Sequence, residues 1–230
     1  MSHVAAGFTV TDIEALRQTV EENCPNLQLV AQSSYRTWID DHGKLVGDYP
    51  VPAIYQLKIL AELGQQGIDY DKLAAEHGVK LPENTLDLEK TPWTLDQQNK
   101  LLRNPQFKQA YDKVVKTQVG KDAEYVIQHK SDDSMYEIGL VPHPVNPGEY
   151  VMICDFWNQG SGILEQKGVG RHHRANGVDE WGHTLKQNYA ERATERVIQQ
   201  QIALGNPEYG SYSKVKLPDG RIQFKVEARS

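Results

Sequence analysis

Hydrophobic periodicity switches twice along this chain, and the switch constrains the fold more than any single motif. Residues 53–122 carry helix-period patterns and no convincing strand, whereas strand-period segments recur on both sides of that block. A chain built this way is neither an all-α bundle nor an all-β sandwich.

On the N-terminal side, Ser2–Val10 reads as a strand. Thr11 reads as a helix N-cap, with Glu14 completing a capping box. Ile13, Leu16 and Val20 form one stripe of a helix ending near Cys24-Pro25, and Leu27–Ala31 and Ser34–Asp40 read as short strands. The helical block divides into a helix around Ile54–Leu63 stopped at Gly64 or Gly67, then Asp69–His77, Thr94–Leu102 and Pro105–Val119. Beyond it, Glu124–His129, Met135–Pro142 and Tyr150–Trp157 read as strands, the last apolar enough to be central. A Gly-rich loop from Asn158 to Gly177 is expected next, then a long helix opened by Asp179 and Glu180. A hairpin around Pro218-Asp219-Gly220 closes the pattern. Its expected apolar face is Val215, Leu217, Ile222, Phe224 and Val226, with Lys214, Lys216, Arg221, Gln223 and Lys225 opposite.

Short links between strands demand antiparallel pairing. The expected fold is therefore α+β: a mainly antiparallel sheet with two helices on one face, plus an all-helical insertion. Residues 1–52 and 123–230 form the expected core domain, and 53–122 the insertion or subdomain.

Charge bears on partners. The 230 residues carry 31 acidic and 25 basic side chains, a formal net charge of -6, which argues against a coat for nucleic acid. No apolar run approaches the ~20 residues of a membrane-spanning helix, and no secretory leader is visible. Cys24 and Cys154 read as reduced thiols, so a cytoplasmic location is expected.

Positive charge is concentrated locally. The stretch Lys167-Gly168-Val169-Gly170-Arg171-His172-His173-Arg174-Ala175-Asn176-Gly177 contains three glycines, three formal cations and two histidines, with no acid before Asp179. Glycines let backbone N–H groups approach an oxyanion, and Arg171 and Arg174 carry forked donors suited to phosphate. Lys167, Arg171, His172, His173 and Arg174 are the candidate ligand-binding residues. Asp155 and Trp157 join them from the preceding strand end, one to orient an arginine and the other to stack on a base. The stretch matches no nucleotide-binding motif. His172-His173 and His183 lack the i, i+4 spacing of helical metal ligands, and no H-E-x-x-H or C-x-x-C occurs, so no metal and no cofactor are expected. His129 and His143 flank strand ends and read as turn residues.

Several short motifs occur in a fixed order: Met1-Ser2-His3-Val4, Gly47-Asp48-Tyr49-Pro50, Tyr136-Glu137-Ile138-Gly139, Cys154-Asp155-Phe156-Trp157, Leu185-Lys186-Gln187-Asn188-Tyr189 and Leu217-Pro218-Asp219-Gly220. The set resembles the DUF1257 family, also called Ycf35-like, across roughly residues 1–52 and 123–230. The resemblance, to a family named after its plastid and cyanobacterial members, implies a small intracellular protein and transfers no catalytic residue. The helical block and the His-His loop depart from the compact family pattern, which suits a specialised role, including one in a bacterial virus. The leading expectation is a non-enzymatic protein that binds a phosphate-bearing small molecule, with nucleotides among the candidates. Two alternatives stay open: a protein-interaction adaptor docking through 53–122, and a phosphoester-processing enzyme using His172 or His173. Self-association is compatible with each.

Overall fold

A computed structural model describes residues 4–37, 50–80, 92–155, 163, 166–169, 171–173, 179–181, 183–217 and 221–229; at 4–7, 155, 171–173, 179–181 and 183 it describes the backbone. In chain order the elements are β1 (Val4–Val10), α1 (Ile13–Asn23), β2 (Leu27–Ala31), α2 (Ala53–Gln65), α3 (Tyr70–Glu76), α4 (Leu95–Leu101), α5 (Pro105–Thr117), β3 (Tyr125–His129), β4 (Ile138–Pro142), β5 (Tyr150–Asp155), β6 (Arg171–His173), β7 (Asp179–Trp181), α6 (His183–Ala203), β8 (Ser211–Lys216) and β9 (Ile222–Glu227). The class is α+β, with a five-stranded antiparallel sheet.

The chain divides into two compact units: Met1–Thr11 with Asn26–Gln166, and Asp12–Pro25 with Lys167–Ser230. The first holds the five-stranded sheet, ordered β1-β5-β4-β3-β2. β5 is an interior strand, paired with β1 and β4, as its continuous apolar run requires. Both sets of alternating side chains are buried: Val126, Val141 and Ile153 on one face, Ile127, Ile138, Leu140 and Met152 on the other. The first face shares one apolar cluster with α2, α3 and α5, which contribute Ile54, Ile59, Leu63, Leu73, Phe107 and Val114. Residues 53–80 and 92–122 are thus largely helical and share the core of the sheet.

Polar anchors fix this packing. Gln56, fully buried on α2, donates to the Val51 carbonyl (2.8 Å) and accepts from the Trp93 N–H (2.8 Å). Thr94 and Gln97 close a capping box on α4. The expected strand at Ser34–Asp40 does not form over Ser34–Thr37, and Trp38–Asp40 lie outside the described residues. Two other attachments hold this segment. Arg36 N–H donates to Glu137 Oε2 (2.7 Å) and its guanidinium to Oε1 (2.6 Å), while the Tyr35 ring lies against Gly139. A Cβ at Gly139 would sit 2.4 Å from a ring carbon, so this strand position must lack a side chain.

In the second unit α1 packs on α6. Its N-cap is Asp12, one residue later than the sequence pattern suggests: Asp12 Oδ1 accepts from Ala15 N–H (2.9 Å). The long helix begins at His183, not at Asp179, because Asp179–Trp181 pairs as β7 with β6. The terminal hairpin forms, but its faces differ from expectation. Lys216 pairs with Ile222 and Val215 with Gln223. Even-numbered residues therefore share one face and odd-numbered residues the other, and one residue of register reassigns every side chain. Tyr212, Lys214, Lys216, Ile222, Phe224 and Val226 fall on one side; Val215, Arg221, Gln223 and Lys225 fall on the other. The expected basic strip is thereby split. No described helix is long and apolar enough to cross a membrane.

Candidate functional site

The basic segment is rooted in the second unit by two glycine-dependent and backbone contacts. Gly168 has φ 91°, and a Cβ there would meet the Asn23 carbonyl oxygen at 2.2 Å and Cys24 Sγ at 2.7 Å. The next residue, Val169, is fully buried, and its carbonyl accepts from the Leu185 N–H in the first turn of α6 (3.1 Å). Lys167, immediately before this anchor, is exposed.

Past the anchor, Arg171, His172 and His173 occupy consecutive positions of β6. Their strand register sets Arg171 opposite Trp181, His172 opposite Glu180 and His173 opposite Asp179. The first acids after the basic run are therefore the cross-strand neighbours of its histidines. Linear reading counted the cations and missed this, because the signal lies in pairing and not in spacing.

The remaining candidates are not brought into one described site with these. Asp155 ends β5 in the first unit, opposite Val4, at a register position sharing the face of Val151 and Ile153. Trp157 and Arg174 lie outside the described residues. His129 is the last residue of β3 and His143 follows β4, so both flank strand ends as expected. His129 Nδ1 accepts from Asp132 N–H (2.9 Å), and His143 Nδ1 accepts from Asn146 N–H (2.9 Å). Each imidazole acts as a side-chain acceptor closing the turn after its strand.

Two polar constellations escaped the sequence reading. In the first unit, Tyr35 and Tyr55 hydroxyls lie 3.0 Å apart; Tyr55 donates to Asp122 Oδ1 (3.1 Å), and Lys58 reaches Oδ2 (2.5 Å). Burial pushes both phenols well above their ordinary value. Burial also raises Asp122, against the opposing pull of Lys58. Every hydroxyl in this chain of bonds has a partner, which makes it a latch between α2 and the residues leading into β3. Its signal was Tyr55 and Lys58, three residues apart on a largely apolar helix.

In the second unit, a cleft of about 210 Å³ is lined by Thr19, Glu22, Asn23, Asn188, Glu191, Arg192, Glu195 and Lys214. Arg192 pairs with Glu22, and Lys214 with Glu191, while Glu195 lies 3.8 and 3.9 Å from these two cations. The cleft thus sets two cations against three carboxylates, each cation paired with a carboxylate of the lining.

Free cysteines Cys24 and Cys154 are both buried. Among the described residues, the exposed large apolar side chains are Val145, Val197, Leu204, Val215 and Val226, none of them on α2–α5. No family model, no curated protein and no solved structure matches this chain.

Proposed function

We propose that this chain is a binding protein without catalytic chemistry of its own, holding a phosphate-bearing small molecule, such as a nucleotide, at Lys167–Arg174. The observation that carries this reading is the anchored root of the segment. Gly168 is seated on the end of α1, and Val169 is tied to the first turn of α6. A cationic stretch fixed at its base loses less conformational freedom on gripping an anion than a free tether would. Exposed Lys167 and the consecutive Arg171, His172 and His173 then supply ammonium, guanidinium and imidazole donors, the mixture that phosphate oxygens accept. Buried thiols at Cys24 and Cys154 suit a reducing compartment. The ordered motifs that resemble the DUF1257 family accord with a small intracellular protein.

Thermal denaturation in the presence of a nucleotide panel tests the reading. At least one nucleotide is expected to raise Tm, by about 2.7 kcal/mol of stabilisation at a hundredfold excess over Kd. The double variant Arg171→Ala, Arg174→Ala is expected to abolish the shift. A panel of nucleotides and inorganic phosphate that leaves Tm unchanged overturns it.

A further inference from the structure

The groove between α1 and α6 departs from an ordinary helix pair. Stripes at i, i+3 and i+4 on packed helices normally form an apolar seam, as Leu16, Val20, Leu185, Tyr189 and Ile198 do here. Beside that seam runs a polar one: Glu22 and Asn23 on α1 and Asn188, Glu191 and Glu195 on α6 line the cleft of about 210 Å³. Its ion pairs use only part of this lining. Glu22 Oε2 is taken by Arg192, Glu191 Oε1 by Lys214, and Glu195 Oε1 by the Tyr212 hydroxyl (2.7 Å). Among the described residues, Glu22 Oε1, Glu191 Oε2 and the whole Asn188 carboxamide have no hydrogen-bonding partner. Glu195 Oε2 lies 3.8 and 3.9 Å from the two cations, beyond bonding distance.

A ligand here must replace the water that solvates these atoms, and displacing a water without reproducing its hydrogen bonds costs affinity. No aromatic side chain is among the lining residues, so a flat base finds no ring to stack on. An anion meets three carboxylates. A hard metal ion, which wants about six or more oxygens, meets Arg192 and Lys214 in the same lining. A hydroxyl both donates and accepts, as water does. Asn188, Glu191 and Glu195 stand three and four residues apart on α6, neighbours on one face. Vicinal hydroxyls therefore suit them, donating charge-assisted bonds to the two carboxylates and accepting from the carboxamide. The volume falls below the roughly 300–1,000 Å³ of pockets for drug-sized ligands, which sets the scale at a single sugar ring. We propose that this cleft binds a small polyhydroxylated molecule, a monosaccharide or a cyclic polyol. The proposal goes beyond the phosphate reading and does not rest on it, since no residue of Lys167–Arg174 lines the cleft.

The test is titration of the full-length chain with glucose, ribose and myo-inositol at millimolar concentration in phosphate-free buffer, followed by calorimetry and saturation-transfer NMR. At least one of the three is expected to bind, one molecule per chain. Asn188→Ala removes a side chain with no partner to lose, so its urea midpoint is expected to match that of the native chain. Its polyol binding is expected to weaken at least about tenfold, the scale of one strong or two ordinary hydrogen bonds. Glu195→Gln keeps an acceptor for Tyr212 and is expected to weaken binding comparably. Arg171→Ala is expected to leave the titration unchanged. Absence of binding by all three compounds overturns the proposal, and so does binding that survives both cleft substitutions. Tighter binding of the diamine putrescine than of any polyol, lost on adding salt, also overturns it and makes the cleft a cation site. A nucleotide panel without effect, beside an intact polyol titration, sinks the phosphate reading alone.

Discussion

The two units solve the same stability problem with different materials. The first buries one large apolar cluster running through β3, β4, β5 and four helices, and interior polar groups such as Tyr35, Tyr55 and Gln56 bond to one another or to backbone. Among the described residues, the second buries fewer apolar side chains, chiefly Leu16, Val20, Val169, Leu185, Tyr189 and Ile198. It ties α6 to its neighbours through half-exposed polar links: Arg196 to Asp12 (2.8 Å), Arg192 to Glu22, Lys214 to Glu191, and the Tyr212 hydroxyl to Glu195 (2.7 Å). Apolar burial contributes roughly 25 cal/mol per Å² and is insensitive to salt, whereas exposed ion pairs contribute under about 1 kcal/mol each and are screened. The first unit should therefore behave as a rigid platform and the second as the part that answers to ionic conditions. The second is also the unit that contains the basic segment.

The largest expected effect tests the platform. Phe107 is 1% exposed and lies with its ring 5.4 Å from that of Trp93. Phe107→Ala should cost about 3 to 5 kcal/mol in urea denaturation, equally at low and high salt. A strong salt dependence of that loss would break the contrast.

Next is the latch. Asp122→Ala leaves half-buried Lys58 and the buried Tyr55 hydroxyl without their acceptor and should cost about 3 kcal/mol. Because the folded-state value of Asp122 is raised, its protonation favours the folded form. That contribution is complete below the ordinary value of 3.8 and lost as pH rises through the folded-state value. The variant should lack this segment of the pH–stability profile.

A smaller effect of opposite sign belongs to the second unit. Burial pushes the Asp12 carboxyl up, but Ala15 N–H and the Arg196 guanidinium outweigh it and hold it below 3.8. Its stabilisation is present above that ordinary value and disappears as pH falls through the lowered one. Asp12→Ala should cost about 1 kcal/mol at neutral pH and flatten the acid limb in a denaturation series.

The smallest concerns Lys214, whose ammonium is held above its ordinary value by Glu191. Lys214→Met should change stability by less than about 1 kcal/mol. Hydrogen exchange in β8, β9 and α6 should quicken with salt in the native chain and respond less in the variant. Equal salt responses in α2 and α6 would remove the distinction between the units.

What the sequence conveys and what it withholds follow the same division. Periodicity, capping residues and glycines place β2 and α1 to the residue or nearly so, and place α2, α5 and β5 closely. Those elements are governed by local propensity and by burial of one stripe or two faces. Errors fall where long-range pairing decides. Tyr35 and Arg36 alternate like strand residues, yet are claimed by Gly139 and Glu137 about a hundred positions away. Val215 and Leu217 look like partners of Ile222 and Phe224 until a five-residue connection sets the register the other way. The basic segment was recognisable from composition, but the acids opposite its histidines were not, since Asp179 and Glu180 also fit the start of a helix. The Gln56 clasp was hidden for a similar reason: a lone amide in an apolar helix names neither of the backbone groups it will bind.

The threading of the chain between its units has a consequence for how it is made. β1 pairs with β5, so Val4 waits for Asp155, and α1 packs on α6, so Asp12 waits for Arg196. On a ribosome, β1 and α1 are stranded without partners until the chain as far as β5 and α6 has been synthesised. The sheet cannot close its β1 edge before β5 appears, and the second unit cannot assemble before α6 does. Contacts this distant in sequence slow folding and prolong exposure of an unpaired strand edge. Nascent chains halted before residue 155 should therefore hold the helices of 53–122 beside a sheet lacking two of its strands, a natural client for a chaperone.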